Sequence, residues 1–341
     1  LPTTRDYAFK GAAIEELKLT PYMTSISTAA FAVCRKLKTI TIPASIYRLG
    51  SQAFENCTGL IGDIIIPKTV SEVGNNVFAN CSGLDRIIFE ENGALREIGS
   101  QFANNSSIKE LVVPHHIQHI KAEAFGNCGD LKKVVLLNPE LTMGECVFNS
   151  TVSLKSAGPI GHGGYAAGKH PEFNIEYAWT TKIPDHAFSA RVNFMQSYLE
   201  TITFPDSLTE LGYAALRGAG IKQIMLPISL NTIGEEAIYY TNLLKLDVPK
   251  NVTFVGARAF AFNPSLRSAI LRFGGSTKTV DVEIDGWFFG CDATLTPQIP
   301  LELYQRPDFL AAEYGQHWNV YAYNTDNGAA TSFTLDYAPI I

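Results

Sequence analysis

Ile46-Tyr47-Arg48-Leu49-Gly50-Ser51-Gln52-Ala53-Phe54-Glu55-Asn56-Cys57-Thr58-Gly59-Leu60 is answered, one interval further along the chain, by Val70-Ser71-Glu72-Val73-Gly74-Asn75-Asn76-Val77-Phe78-Ala79-Asn80-Cys81-Ser82-Gly83-Leu84, aligned without a gap. Working outward with the aromatic as a ruler, the mark falls at Phe9, Phe31, Phe54, Phe78, Phe102, Phe125 and Phe148, with successive differences of 22, 23, 24, 24, 23 and 23. It resumes at Phe188, Leu216, Ile238, Phe260 and Phe288, spaced by 28, 22, 22 and 28, which makes twelve expected coils. A segment this short cannot bury its own apolar face, so each coil must be covered by its neighbours, and the core must run on as a column.

Within a coil, Leu37-Lys38-Thr39-Ile40-Thr41-Ile42-Pro43 has the spacing of a short strand whose Ile40 and Ile42 point inward. Proline lacks the N–H that a ladder needs, so Pro21, Pro43, Pro67, Pro114, Pro205, Pro227 and Pro249 mark the strand end in coil after coil. The Ile/Val-x-x-Ile/Leu-Gly-x-x-Ala-Phe segment that follows has mixed three-and-four spacing, which predicts a short helical or 3₁₀ turn. The expected fold is therefore an α/β leucine-rich-repeat solenoid. About twelve coils, most of them 22–24 long by the ruler, place a parallel β-sheet on the concave face and short helical turns opposite.

The segment Ile42-Pro43-Ala44-Ser45-Ile46 through Leu60 resembles the BspA-type leucine-rich repeat, and the likeness recurs over roughly residues 7–290. That resemblance implies a bacterial cell-surface or secreted protein, and a role in adhesion to host or matrix proteins. It says nothing about the ligand, because every repeated residue is a packing residue.

The pattern breaks twice. The ruler has no mark between Phe148 and Phe188, and Ala157-Gly158-Pro159-Ile160-Gly161-His162-Gly163-Gly164-Tyr165 reads as a glycine-rich loop. After Phe288 the strand formula stops, and Tyr304, Phe309, Tyr314, Trp318 and Tyr321 suit a cap over the last coil. Asn324 to Ala330 reads as a turn leading into a final short strand or tail. The expected organisation is a first repeat block at 1–150, an insert with a specialised coil at 151–182, a second block at 183–295 and a cap with tail at 296–341. Leu1 falls inside a coil, so upstream sequence is expected.

Charge and motifs narrow the function. With 33 acidic against 27 basic residues the net charge is −6, which gives no electrostatic case for nucleic acid or an anionic membrane. No apolar run approaches the roughly 20 residues of a membrane-spanning helix. There is no G-x-S-x-G, no phosphate-loop G-x-x-x-x-G-K and no G-x-G-x-x-G after a strand, so a non-enzyme without cofactor is expected.

Cys34, Cys57, Cys81, Cys128 and Cys291 each fall three residues after the ruler phenylalanine, and Cys146 stands apart. One inward thiol per coil, with no C-x-x-C pair, predicts buried thiols rather than disulfides or zinc. His115, His116 and His119 occupy variable turn positions and lack a fourth ligand nearby, so no metal is assigned to them. Asp281, Glu283 and Asp285 alternate on one strand face, where a solvated surface is preferred to a calcium site. The N-x-S/T sequons, Asn56 and Asn80 among them, follow mostly from the repeat consensus.

Side chains alternate along a strand, so the residue between the second and third inward positions faces outward. Coil by coil it is Thr41, Ile65, Ile88, Val112 and Val135, then Thr203, Met225, Asp247 and Ile270. Ile65, Ile88, Val112 and Val135 thus form an expected aliphatic stripe, with Arg86, Glu110 and Lys133 in the polar row beside it together with Thr39 and Asp63. Ile65, Ile88, Val112, Val135, Arg86, Glu110 and Lys133 are the candidate binding surface for a protein or glycan partner on a monomeric chain, and a passive stalk or spacer is the competing reading.

Overall fold

The computed structural model describes residues 3–160, 173–190, 198–272, 281–282, 287–288, 290–291, 295–300, 319–323 and 330–334. They belong to two units, Leu1–Trp179 with Ser189–Tyr198 and Thr180–Phe188 with Leu199–Ile341. Both are parallel β-solenoids, with about ten turns among the described residues.

In the first unit the strand formula folds as its period of two requires. Gly62–Ile66, Leu84–Phe89, Glu110–Val113 and Lys133–Leu136 lie side by side and parallel, and buried residues alternate with exposed ones or, in Lys133–Leu136, with half-buried ones. The inward row Ile64, Ile87, Leu111 and Val134 is at most 2% exposed. Glu16–Lys18 and Thr39–Thr41 form a parallel pair of the same kind. Together these are the front strands.

The segment expected to be helical is not, and no helix occurs among the described residues. Its middle forms two-residue side strands, Ser25–Ile26 with Arg48–Leu49 and Glu72–Val73, then Glu97–Ile98 with His119–Ile120 and Thr142–Met143. Beyond them the chain enters a wall of turns in which two residues per coil, four apart, take left-handed conformations: Gln52 and Asn56, Asn76 and Asn80, Gln101 and Asn105, Glu123 and Asn127. A single left-handed residue breaks an α-helix, and asparagine tolerates that conformation best among non-glycine residues. The consequence is an alternation of backbone bonds. Gln52, Phe54 and Asn56 donate N–H groups to Asn75, Val77 and Ala79 of the next coil at 2.8–2.9 Å, while Ala53, Glu55 and Cys57 donate back to Gly50, Gln52 and Phe54 at 3.1–3.2 Å. An α-helix would direct all of these donors into its own turn.

That ladder fixes the core. Phe9, Phe31, Phe54 and Phe78 stack with ring centroids 5.3–5.5 Å apart and planes within 7° of parallel. The stack then breaks, because Phe78 donates its N–H to Phe102 O, which puts Ala103 in the ruler position and Phe102 one residue ahead of it. The swapped order Phe102-Ala103 turns the ring, so Phe102 meets Phe78 at 85° and Phe125 at 73°.

All six cysteines are buried thiols. Their register has a reason that size alone does not supply: Cys34, Cys57, Cys81 and Cys128 donate S–H to the ruler carbonyls of Phe9, Phe31, Phe54 and Ala103 at 3.1–3.2 Å. In the second unit Asn263 takes the same position and donates to Ile238 O at 2.8 Å. A donor to the preceding coil is what the position selects. Burial pushes the Cys57 thiol up to about 12 and raises Cys34, Cys81 and Cys128 as well.

Both breaks in the repeat contain strand. Ser156–Pro159, which takes in Ala157, Gly158 and Pro159 of the segment read as a loop, pairs with Ile175–Tyr177, and Ile175–Tyr177 lies between it and Lys133–Leu136, parallel to both. Gly158 permits this, since a Cβ there would stand 2.2 Å from the Phe173 ring. Residues 161–172 of the insert lie outside the described residues, as do Tyr304, Phe309, Tyr314 and Trp318 of the expected cap. In the second unit, Lys245–Val248, Ser268–Leu271, Thr296–Pro300 and Asn319–Tyr323 run parallel, and Ala330–Thr334 closes on Asn319–Tyr323 in the antiparallel sense. Of the turn expected from Asn324 to Ala330, only Ala330 is among the described residues, and it begins that strand.

Two measurements test this architecture. A Cβ on Gly99 would lie 2.1 Å from Gly74 O, whereas one on Gly129 meets nothing within 4 Å. Denaturant titration is therefore expected to show Gly99→Ala destabilised by about 1–3 kcal/mol and Gly129→Ala within about 1 kcal/mol of the parent. For the thiols, labelling by a thiol reagent at pH 8 should be slow in the native protein and should reach six groups in denaturant without reductant. A folded-state value above the unfolded one of about 8.5 stabilises fully below that pH. Stability should accordingly fall as pH rises from about 9 towards 12, with a slope approaching about 1.4 kcal/mol per unit for Cys57.

Candidate functional site

The front strands of the first unit bring the expected stripe together. Registers join Ile65 to Ile88, Ile88 to Val112 and Val112 to Val135, so the four aliphatics stand on consecutive rungs. Ile65 is 52% exposed, Ile88 37% and Val112 47%, while Val135 is half-buried. The next rung beside Val135 carries Glu176, which ends the apolar row.

The neighbouring row is equally regular. Asp63, Arg86, Glu110 and Lys133 face one another in register and alternate in sign. Arg86 grips Asp63 with two parallel bonds, Nε to Oδ1 at 3.1 Å and Nη2 to Oδ2 at 2.6 Å. The hydrogen bond from Arg86 holds the Asp63 carboxyl below the ordinary aspartate range. Lys133 reaches across to Glu176 and donates to Phe173 O at 2.9 Å. Lys109 pairs with Asp85, and Glu110 sits between Arg86 and Lys133 with no ion pair of its own among the described residues. Gly62, Asp63, Asp85, Arg86, Lys109 and Glu110 line a shallow depression of about 480 Å³ beside the stripe.

Asp85, Lys109 and Glu176 were missed by the sequence reading. Asp85 is offset because the register shifts at Gly62/Asp63, where Gly62 takes a φ of 75°. Glu176 belongs to the insert, whose strand has no counterpart in the repeat. The available signal was Glu176 alternating with Ile175 and Tyr177.

Of the outward positions expected in the second unit, Thr203, Met225, Asp247 and Ile270, only Ile270 is a branched aliphatic. Thr203 and Met225 lie outside regular strands, with Met225 85% exposed, and Asp247 beside Ile270 is held by Arg272 Nε at 2.6 Å. Among the described residues no three His, Cys, Asp or Glu side chains gather as a metal site. His115 is exposed, His116 is half-buried and His119 Nδ1 lies 2.7 Å from Thr142 Oγ1. Asp281 lies in a strand, Asp281–Val282, while Glu283 and Asp285 are outside the described residues. No helix among the described residues is long and apolar enough to cross a membrane.

Stacked coils with parallel strands, a proline at the strand end and a turn wall define a leucine-rich-repeat protein. The chain belongs to the BspA-type leucine-rich-repeat family: a six-copy BspA type leucine rich repeat region matches residues 3–132, 61–158 and 165–291. Similar solved structures include a leucine-rich repeat protein from Bacteroides ovatus, 18% identical over 93% of this chain and 81% of that one, with a TM-score of 0.47. The pneumococcal vaccine antigen PcpA is 18% identical over 87% and 73%, with a TM-score of 0.44. A leucine-rich repeat protein from Eubacterium ventriosum is 18% identical over 90% and 74%, with a TM-score of 0.41. No curated protein matches the chain.

The Asp63–Arg86 pair yields a direct test. Carboxyl-carbon NMR is expected to show Asp63 titrating below about 3.9, the ordinary value, and Arg86→Gln should return it upward. An unchanged titration in the variant would show that the two groups do not hold each other in solution.

Proposed function

We propose that this is a non-enzymatic, monomeric leucine-rich-repeat protein of the cell surface or extracellular space that holds a protein or glycan partner against the front strands of its first unit. The family supports the location. The observation carrying the binding role is the outward row of Ile65, Ile88, Val112 and Val135 on four consecutive rungs. A partner that excludes water there gains about 25 cal/mol for each Å² of apolar surface covered. Arg86 is paired within the charged row by Asp63, and Lys133 by Glu176 at the end of the apolar row, so a partner need not desolvate a naked charge at either.

The stalk reading rests on the same residues, because branched aliphatics suit strands whatever they face. Binding separates the two. Immobilised host extracellular-matrix proteins and a glycan array are probed with the parent and with Ile88→Lys/Val112→Glu. We expect a far-ultraviolet spectrum and melting temperature close to the parent's, with binding weakened at least about tenfold. Undiminished binding by the double variant would remove the stripe from the site, and no binding by the parent would favour the stalk.

A further inference from the structure

The spacing of the stripe selects among occupants, and the selection rests on the binding reading above. Along each of the four strands that carry the stripe, the outward face offers one charged and one aliphatic residue, such as Arg86 and Ile88, so a partner that covers all four aliphatics must run across the strands. Rungs repeat at roughly 4.8 Å, which places Ile65 and Val135 about 14 Å apart along the row. An extended peptide shows alternate side chains every ~6.8 Å, and four such anchors would overrun the row by about 6 Å. An α-helix with aliphatics at heptad positions a and d shows an anchor every ~5.2 Å and overruns it by little more than about 1 Å. A sugar polymer needs flat faces for its rings, and the row contains branched aliphatics with no aromatic.

The charged row adds a second criterion. Asp63, Arg86, Glu110 and Lys133 alternate in sign rung by rung, parallel to the stripe. The flank of a helix lying on the stripe meets them with residues three and four apart, so a flank alternating Lys and Glu matches the row. Glu110, without an ion pair of its own among the described residues, is the position at which such a flank gains a new one. We infer that the occupant is an amphipathic α-helix of a partner protein, about three turns long, with a and d aliphatics against Ile65, Ile88, Val112 and Val135 and a flank of alternating charge against the polar row.

The probes are two fluorescein-labelled synthetic peptides, each about four helical turns long and identical in composition. One carries leucine at a and d with alternating lysine and glutamate on one flank, and the other has the same residues in strict strand alternation. Fluorescence anisotropy with the full chain is expected to show saturable binding of the helical peptide, at least about tenfold tighter than the alternating one, and loss of that binding in Ile88→Lys/Val112→Glu. Amide NMR shifts should concentrate at residues 65, 88, 112 and 135 and at Glu110, and Glu110→Gln should weaken the helical peptide alone. Equal binding of the two peptides, or none by the helical one, overturns the helical occupant. If matrix proteins or glycans still bind the parent and lose the double variant while the helical peptide fails, the binding face stands and only its occupant is wrong. If the double variant binds as the parent does in both assays, the face falls with it.

Discussion

Backbone donors in the turn wall alternate between two destinations, and the rest of the architecture depends on that division. Every second N–H leaves its coil for a carbonyl of the next, as Phe54 does to Val77, and the intervening ones close tight turns within the coil, as Ala53 does to Gly50. Left-handed residues at two positions per coil make the alternation possible, and glycines make it close enough. At Gly50, Gly74 and Gly99 a Cβ would fall 2.1–2.6 Å from backbone of the preceding coil. Buried peptide groups are thereby satisfied in a wall that contains neither helix nor regular sheet.

Side-chain order follows from backbone order. Once each coil is locked one rung from the next, equivalent side chains become ladders, and each ladder takes the chemistry its surroundings allow. Inside, phenylalanine rings stack, and a donor three residues beyond the ruler returns to the neighbouring carbonyl. On the turn wall, amides join across coils, as Asn76 Nδ2 does to Gln101 Oε1 at 2.8 Å and Asn105 Nδ2 to Asn80 Oδ1 at 2.8 Å. On the front, charges alternate beside aliphatics. The asparagines of the repeat are thus backbone residues first, chosen for a left-handed φ.

The front of the first unit differs from the other walls in one physical respect. Its charged row is largely compensated by Asp63–Arg86 and Lys133–Glu176, yet its apolar row has no compensation at all. Exposed ion pairs of this kind contribute little to stability, since solvent screens them, so their regularity does more to set the local potential than to hold the fold. In the second unit the corresponding outward positions pass through Asp247 with its Arg272 partner, and the apolar row is not repeated.

The sequence by itself determined the repeat, the inward and outward faces of each strand, the burial of the cysteines and the membership of Ile65, Ile88, Val112 and Val135 in one stripe. Those properties depend on a period of two within a strand and of about 23 between coils, and both can be counted. Only the tertiary structure decided that the turn wall is not helical, because three-and-four spacing of apolar residues fits a helix and a chain of tight turns equally well. What separates them is φ at Gln52, Asn56 and their equivalents, set by bonds to the neighbouring coil, far off in sequence. The same holds for the turned ring of Phe102, whose early place after Gly99 can be read in the sequence but whose consequence for the stack cannot, and for Ile175–Tyr177, which enters between two strands of the front because Gly158 leaves room for the Phe173 ring. Register between coils is a long-range hydrogen-bonding fact, and a local pattern of residues does not contain it.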